Sequence, residues 1–241
     1  SRSAIESGFS WTAVSTSGLV RPLFLPSPIS VGEKLIDQAV NGQLWTDIAV
    51  STYRVMVGYL LASVIAIPIG VLCGSIPRVE AAIEPIMDFI RYMPVVAFVP
   101  LTILWVGTDD SQKVLIIFLG TFFQQVLLFA DAVRRVPVSY RNLGATLGLS
   151  RSQILLRIVL PSALPRIWDA LRISLGWAWT WLVVAELVAA TSGMGYRITQ
   201  AQRFLETDLI IGYVIILGLL GLVFDQIMRA LGRRFFRYLK G

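Results

Sequence analysis

Read only for hydrophobic and polar positions, the chain is a succession of long apolar stretches separated by short polar breaks. The stretches are residues 52–75, 79–106, 114–132, 167–190 and 209–231. A helix needs ~20 residues to cross a hydrocarbon core, so five spans are predicted. In the first, Pro68 predicts a kink, and Gly58 and Gly70 predict close approach of a neighbouring helix. The second is interrupted by Pro85, Pro94 and Pro100 and carries Glu84, Asp88 and Arg91, so it cannot face lipid all round. Gln124 and Gln125 break the third and predict hydrogen bonds between helices. The fourth holds Arg172, Trp177, Trp179, Trp181 and Glu186.

The breaks have patterns of their own. Residues 22–28 are rich in proline and predict an extended segment. Leu35, Ile36, Val40 and Leu44 recur at helical spacing, predicting an amphipathic helix over 32–45 that lies on the membrane surface. Residues 108–112, with Asp109 and Asp110, read as a polar turn, and 191–208 as a loop with glycines and a short amphipathic helix. The predicted fold is an all-α polytopic membrane protein. Its parts are an N-terminal segment with the interfacial helix (1–45), a transmembrane domain (46–232) and a basic tail (233–241).

Composition supports this picture. Of 241 residues, 56% are hydrophobic and 15% charged, and the mean hydropathy is +0.72; soluble domains carry roughly 25% charged residues. A net charge of +6 could mark a nucleic-acid binder, but the basic residues sit between and after the apolar stretches, so the charge reports topology. Residues 133–168 contain Arg134, Arg135, Arg141, Arg151, Arg157 and Arg166 and no acidic residue, which predicts a cytoplasmic segment. Counting spans from there puts Arg78 and the tail, with Arg233, Arg234, Arg237 and Lys240, on the cytoplasmic side. Asp109, Asp110 and residues 191–208 fall outside. Residues 1–21 are Ser-rich and begin with Ser1; an odd count of spans leads to the expectation of one further span ahead of them.

The same inventory excludes several chemistries. There is no histidine, and Cys73 is the single cysteine, so an intrachain disulfide, Cys/His zinc sites and His-based triads are ruled out. No GxxxxGK[ST] run occurs, so the chain has no recognisable P-loop of its own. The candidates that remain lie inside the spans. Trp177 and Trp181 share a helix face and either pack between helices or line a gate. Glu186 needs a partner in the bundle or a place on a path. Arg91 lies roughly 20 Å from the span end at Arg78, at about 1.5 Å per residue. It either pairs with Asp88 or lines a path beside the break at Pro94. Asp225 and Arg229, four apart, predict an ion pair.

Residues 140–165, YRNLGATLGLSRSQILLRIVLPSALP, stand apart as a glycine-broken hairpin. Pro137 and Ser139 open a short helix, Gly148 caps it, and Ser150 with Gln153 forms a capping box for the next. Two short helices with a sharp bend are predicted within 134–166. Leu143, Leu147, Leu149, Ile154 and Leu155 give them an apolar side suited to a partner's groove.

Gly148, followed at an interval by Ile158, Val159, Leu160 and Pro161, resembles the second half of the EAA signature of ABC-importer permease subunits. Where that family has Glu-Ala-Ala, this chain has Asn142, Leu143 and Gly144, with Ala145 next. LFLPSP at 23–28, RYMPVVAFVPLTILWVG at 91–107 and residues 171–201 resemble the nitrate/sulfonate/taurine/bicarbonate branch. The resemblance implies a six-helix type I permease fold in a bacterial inner membrane, with a cytoplasmic C-terminus. It further implies a second permease copy or homologue, cytoplasmic ATPase subunits that carry ATP and Mg, and an extracytoplasmic binding protein that delivers a small anion. On this basis Asn142, Leu143, Gly144, Ala145, Gly148, Ile158, Leu160 and Pro161 are expected to couple to the ATPase. Arg91, Trp177, Trp181 and Glu186 are expected along the path. The alternatives are a permease for a neutral heterocyclic solute, or a secondary transporter, which often shows an internal repeat that is not found here.

Overall fold

A computed structural model describes Trp11 and residues 24–237 of the chain. Residues 1–10, 12–23 and 238–241, which include the first two residues of the expected extended segment and the end of the basic tail, lie outside the described residues. Among the described residues all regular structure is helical.

Helix α1 (Pro28–Val40) starts where Pro28 fixes φ and the Ser27 hydroxyl accepts from the Ser30 N–H at 3.1 Å. The amphipathic pattern predicts one helix through Trp45, but the helix stops at Asn41 and Gly42, the latter at φ +76°. The first long helix, α2 (Gln43–Ser75), then begins ahead of the apolar stretch. Its first turns are polar, with Thr46, Asp47 and Ser51, and so lack the apolar signal of a span.

The stretch at 79–106 forms two helices, α3 (Pro77–Arg91) and α4 (Val99–Val106), joined by a 3₁₀ turn (Val95–Phe98) and bent by 87°. Pro94 has no N–H to continue the helix and disfavours the α conformation at Met93. Both helices pack on α5 (Asp110–Arg134). Helix α6 (Val138–Thr146) follows.

Helix α7 (Arg151–Ile154) departs from expectation. It runs without a break through a π turn (Leu155–Val159) into α8 (Leu160–Ala189). The sequence predicts a second short helix and a span starting near 167. Instead the arm of the hairpin is the foot of the span. Pro161 lacks an N–H and would crowd the carbonyl one turn back; the widened turn before it, closed by Leu160 N–H to the Leu155 carbonyl, relieves this without ending the helix. Helix α9 (Met194–Arg203) and the final long helix α10 (Thr207–Phe235) complete the chain. Among the described residues, four helical runs are long and apolar enough to cross a membrane. Counting the bent pair α3–α4 as one span makes five, the number expected.

The chain divides into two compact units, residues 1–53 with 183–222 and residues 54–182 with 223–241. In the second, the core is built from α2, α5 and α8 around Ala66, Val71, Val126, Phe129, Val133, Val159 and Ile167. Small residues on α2 set the distance. A Cβ on Gly58 would lie 2.9 Å from Ile117 Cβ, and one on Gly70 2.6 Å from Phe129 Cβ, so these two predicted glycines allow α2 to rest directly on α5. In the first unit, Lys34 pairs with Glu206 at 3.1 Å and Ser30 donates to Asp208 at 2.9 Å, fixing α1 to the start of α10. The Glu206 carboxylate, by hydrogen bond and charge, holds the Lys34 ammonium above its ordinary range.

Candidate functional site

The hairpin is built from local rules. Gly148 sits at φ +75°; its N–H donates to the Ala145 carbonyl at 3.0 Å, and Leu149 N–H to the Gly144 carbonyl at 3.1 Å. That pair of bonds is a Schellman ending, which needs a left-handed residue and so favours glycine. One residue on, Ser150 N–H donates to Gln153 Oε1 at 2.9 Å and Gln153 N–H to Ser150 Oγ at 3.4 Å, which is the predicted capping box. The bend between α6 and α7 is thereby specified by residues close together in the chain.

Gly144, in the place of the signature's second alanine, is buried against the second arm. A Cβ there would lie 2.7 Å from Ile158 Cδ1 and 2.9 Å from Ile154 Cγ1. Ile158, one of the residues singled out from the sequence, thus touches α6 from inside the π turn, while Leu160 and Pro161 sit where that turn passes into α8. Leu143 and Ala145 are exposed on α6, as is Asn142. The apolar side predicted for the hairpin is divided in two. Leu143 and Leu147 face outward at 59% and 69% exposure, whereas Ile154 and Leu155 pack against the core.

In the same unit, α3, α5 and Trp177 of α8 line an open cavity of about 600 Å³. Its lining includes Glu84, Asp88, Arg91, Asp131, Arg134 and Trp177. Arg91 Nε meets Asp88 at 3.1 Å, the partner its spacing predicts, and its guanidinium lies 4.9 Å from the Tyr92 ring centre. Arg134 pairs with Glu80, with Glu84 at 2.8 Å and with Asp131 at 3.2 Å. The lining therefore holds three carboxylates against two guanidinium groups, with both cations already paired. A second cavity of about 480 Å³ shares Arg91, Tyr92 and Gln124 with the first and is lined by Trp181. The Trp181 ring also covers Gly120 so closely that no Cβ would fit there. Three of the expected path residues, Arg91, Trp177 and Trp181, are thus brought together. Trp179, on the other face, is buried against Phe224 with ring centres 5.5 Å apart.

Polar residues inside the spans find partners. Gln125 is fully buried and donates to Ser63 and Ser174, each at 3.0 Å. Arg172 reaches Asp225 at 3.1 Å, and Asp225 also meets Arg229 at 2.9 Å, as predicted. Arg54, 2% exposed, donates its Nε to Asp110 at 2.8 Å.

Glu186 belongs to the first unit and to a different arrangement. It is 1% exposed and accepts from the Ser51 hydroxyl at 2.8 Å and from the Gly195 N–H at 2.7 Å. Met194 N–H donates to Ser51 Oγ at 2.9 Å. Beside them Asp47, with no exposure, accepts from Gly193 N–H at 3.3 Å, Arg197 Nε at 3.1 Å, Tyr213 OH at 2.9 Å and Gln43 Nε2 at 3.2 Å. The first N–H groups of α9, which have no partner in their own helix, are thus capped by side chains of α2 and α8, and two carboxylates meet the positive end of the helix dipole. Of this group only Glu186 stands out in the sequence. The remaining signals are Asp47 and Ser51, four apart on one helix face, and the TSGMG run at 191–195, where Gly193 takes φ +103°.

Residues 66–237 match the family described as "Binding-protein-dependent transport system inner membrane component". The chain is 36% identical over 229 residues to the taurine transport system permease protein TauC of Escherichia coli (strain K12), covering 93% of this chain and 83% of that protein. It is 31% identical over 237 residues to the bicarbonate transport system permease protein CmpB of Synechococcus elongatus, covering 92% and 84%. Among solved structures, a chain of the MetNI methionine ABC transporter in an inward-facing conformation superposes with a TM-score of 0.61 at 21% identity, over 79% of this chain and 95% of that one.

Proposed function

The chain belongs to the family of binding-protein-dependent transport system inner membrane components, and we propose that it forms the gated path of an ATP-driven importer for a small sulfonate- or bicarbonate-like anion. Family membership replaces the secondary-transporter alternative. In this proposal ATP is hydrolysed by separate subunits docked on the exposed face of α6, a second permease chain completes the path, and an extracytoplasmic protein delivers the solute. The hairpin at 134–166 and the C-terminal tail face the cytoplasm, in keeping with their arginines.

The observation that carries the proposal is the continuity of the hairpin with a span. Gly144 seats α6 directly on Ile154 and Ile158, and from Arg151 the helix runs unbroken to Ala189. Any displacement of α6 by a docked subunit is therefore delivered to the helix that carries Trp177 and Trp181. The taurine and bicarbonate names of the two relatives support the choice of solute.

A second version of the solute is favoured by the cavity itself. Three carboxylates and two guanidinium groups suit a zwitterion, whose ammonium and anionic ends can each meet an opposite charge, better than a simple anion. The test is reconstitution with the ATPase subunits and the cognate binding protein. Stimulation of ATP hydrolysis by binding protein loaded with an aminosulfonate, above that with bicarbonate, supports the zwitterion; the reverse order supports the simple anion. No stimulation by either would overturn both.

A further inference from the structure

We propose that the cavity between the end of α2 and the foot of the helix starting at Arg151 binds the headgroup of an anionic phospholipid. The cavity measures about 480 Å³, and its lining includes Ser75, Pro77, Arg141, Arg151, Ile154 and Val159. It is a different space from the acid-rich cavity above, since no carboxylate lines it.

Two kinds of wall point to the ligand. The polar wall is rich in unmatched donors. Arg141 gives one N–H to the Val133 carbonyl at 3.3 Å, but its Nε is buried without a partner, and so is the Ser75 hydroxyl. Among the described residues Arg151 has no ion pair. A guanidinium with a buried free Nε, a second guanidinium without an ion pair and a hydroxyl with no partner call for an anion with several oxygens, as in a phosphate ester. The rest of the wall is apolar, from Ile76, Pro77, Ile154, Leu155 and Val159. Leu72 and Leu156, near Ile76 and next to Leu155 in the chain, are 42% and 61% exposed. A free inorganic anion gains nothing from such a wall, whereas a phosphate that carries a glycerol backbone and acyl chains does.

Position agrees with chemistry. Ser75 ends a helix long and apolar enough to cross the membrane, so the cavity opens at headgroup depth. Basic pockets between helix ends hold anionic lipid headgroups by the same balance of charge and apolar contact. At ~30 Å³ per water-sized group, the volume accommodates roughly sixteen such groups, enough for a phosphoglycerol and the first carbons of its chains.

Native mass spectrometry of the full chain, released from neutral detergent micelles doped with phosphatidylglycerol or phosphatidylcholine, tests the proposal. Each basic side chain near charged lipid is worth about fivefold in affinity, so phosphatidylglycerol should be retained about thirtyfold over phosphatidylcholine. The double variant Arg141→Gln with Arg151→Gln should bring the two lipids to parity. Arg78→Gln, which removes a cation at the same helix end but outside the cavity, should keep a preference of about tenfold or more. Millimolar inorganic phosphate should not displace the lipid. Absence of a preference in the parent chain, or equal effects of Arg78→Gln and the double variant, would overturn the site. Displacement by inorganic phosphate would assign it to a free anion, and displacement by added ATPase subunits would assign it to the protein interface. The site does not depend on what the chain transports, so failure here leaves the importer proposal standing, and the reverse holds as well.

Discussion

Asp47 has four donors around it and no exposure, and of these donors only Gln43 lies near it in the chain. Its partners Arg197 and Tyr213 lie 150 and 166 positions away, and Ser51 meets Glu186 over 135. Buried polar contacts of that separation depend on how helices are brought together, which periodicity and spacing do not encode. The hairpin caps are legible because each closes within about one turn. Arg91 falls between these cases: its partner Asp88 is readable from one helical turn, its cavity is not. Asp47→Ala should lower stability by about 3 kcal/mol or more, because Arg197, Tyr213 and the Gly193 N–H lose their acceptor. For a chain of this size that is a fall of roughly 6–12 °C in apparent Tm in detergent, read by a thiol-reactive or light-scattering melt. An unchanged Tm would show that water replaces the carboxylate without cost. At the other site, Arg91→Gln should reduce solute uptake while complex assembly and basal ATP hydrolysis persist, with Arg91→Lys recovering part. Loss of assembly in Arg91→Gln, restored by adding Asp88→Asn, would make the pair a strut and move the path elsewhere.

Among the elements, the long apolar helices are legible in number, and where their boundaries are displaced each has an identifiable reason. Helix α2 starts early because its first turns are polar for the sake of the α9 cap. The 79–106 stretch bends at Pro94, where the absence of an N–H ends α3. The difference at 151–189 is the instructive one. Pro161 and Pro165 lack the N–H that a continuous helix uses, but a π turn absorbs the first and the helix continues. The pattern of two short helices is in fact one short helix leaning on the base of a span. Gly144 is the contact point, and its neighbours are the ends of isoleucine side chains, which can shift a little. Gly144→Ala should therefore keep coupling near the parent level, while Gly144→Leu should push α6 away from Ile154 and Ile158 and reduce solute moved per ATP severalfold or more. Stoichiometric uptake by Gly144→Leu would show that the two arms move independently.

At the scale of the whole chain, the charge pattern and the helix order describe one orientation. The proposed orientation, which rests on the charge bias, puts the arginines at 134–166 and Arg233, Arg234 and Arg237 on the cytoplasmic side and residues 191–208 outside. A cysteine at Ser139, in a background with Cys73 replaced, should resist an impermeant thiol reagent applied from outside, and one at Thr108 should react; the opposite labelling would invert the chain. What the sequence alone leaves open at this scale is the solute, because the cavity walls are drawn from three helices far apart in the chain. The central claim is that the Gly148 bend passes the ATPase cycle to the 151–189 helix, and uptake with hydrolysis measured together in proteoliposomes tests it most directly. Apart from Gly148 and its chain neighbours, nothing lies within 4 Å of the point a Cβ on Gly148 would occupy, so a side chain there fits in space and is opposed by the φ of +75°. That opposition is worth about 1 kcal/mol. Gly148→Leu should leave the chain in the membrane but either lose the ATPase subunits or hydrolyse ATP without uptake. Uptake per ATP equal to the parent in that variant would contradict the account.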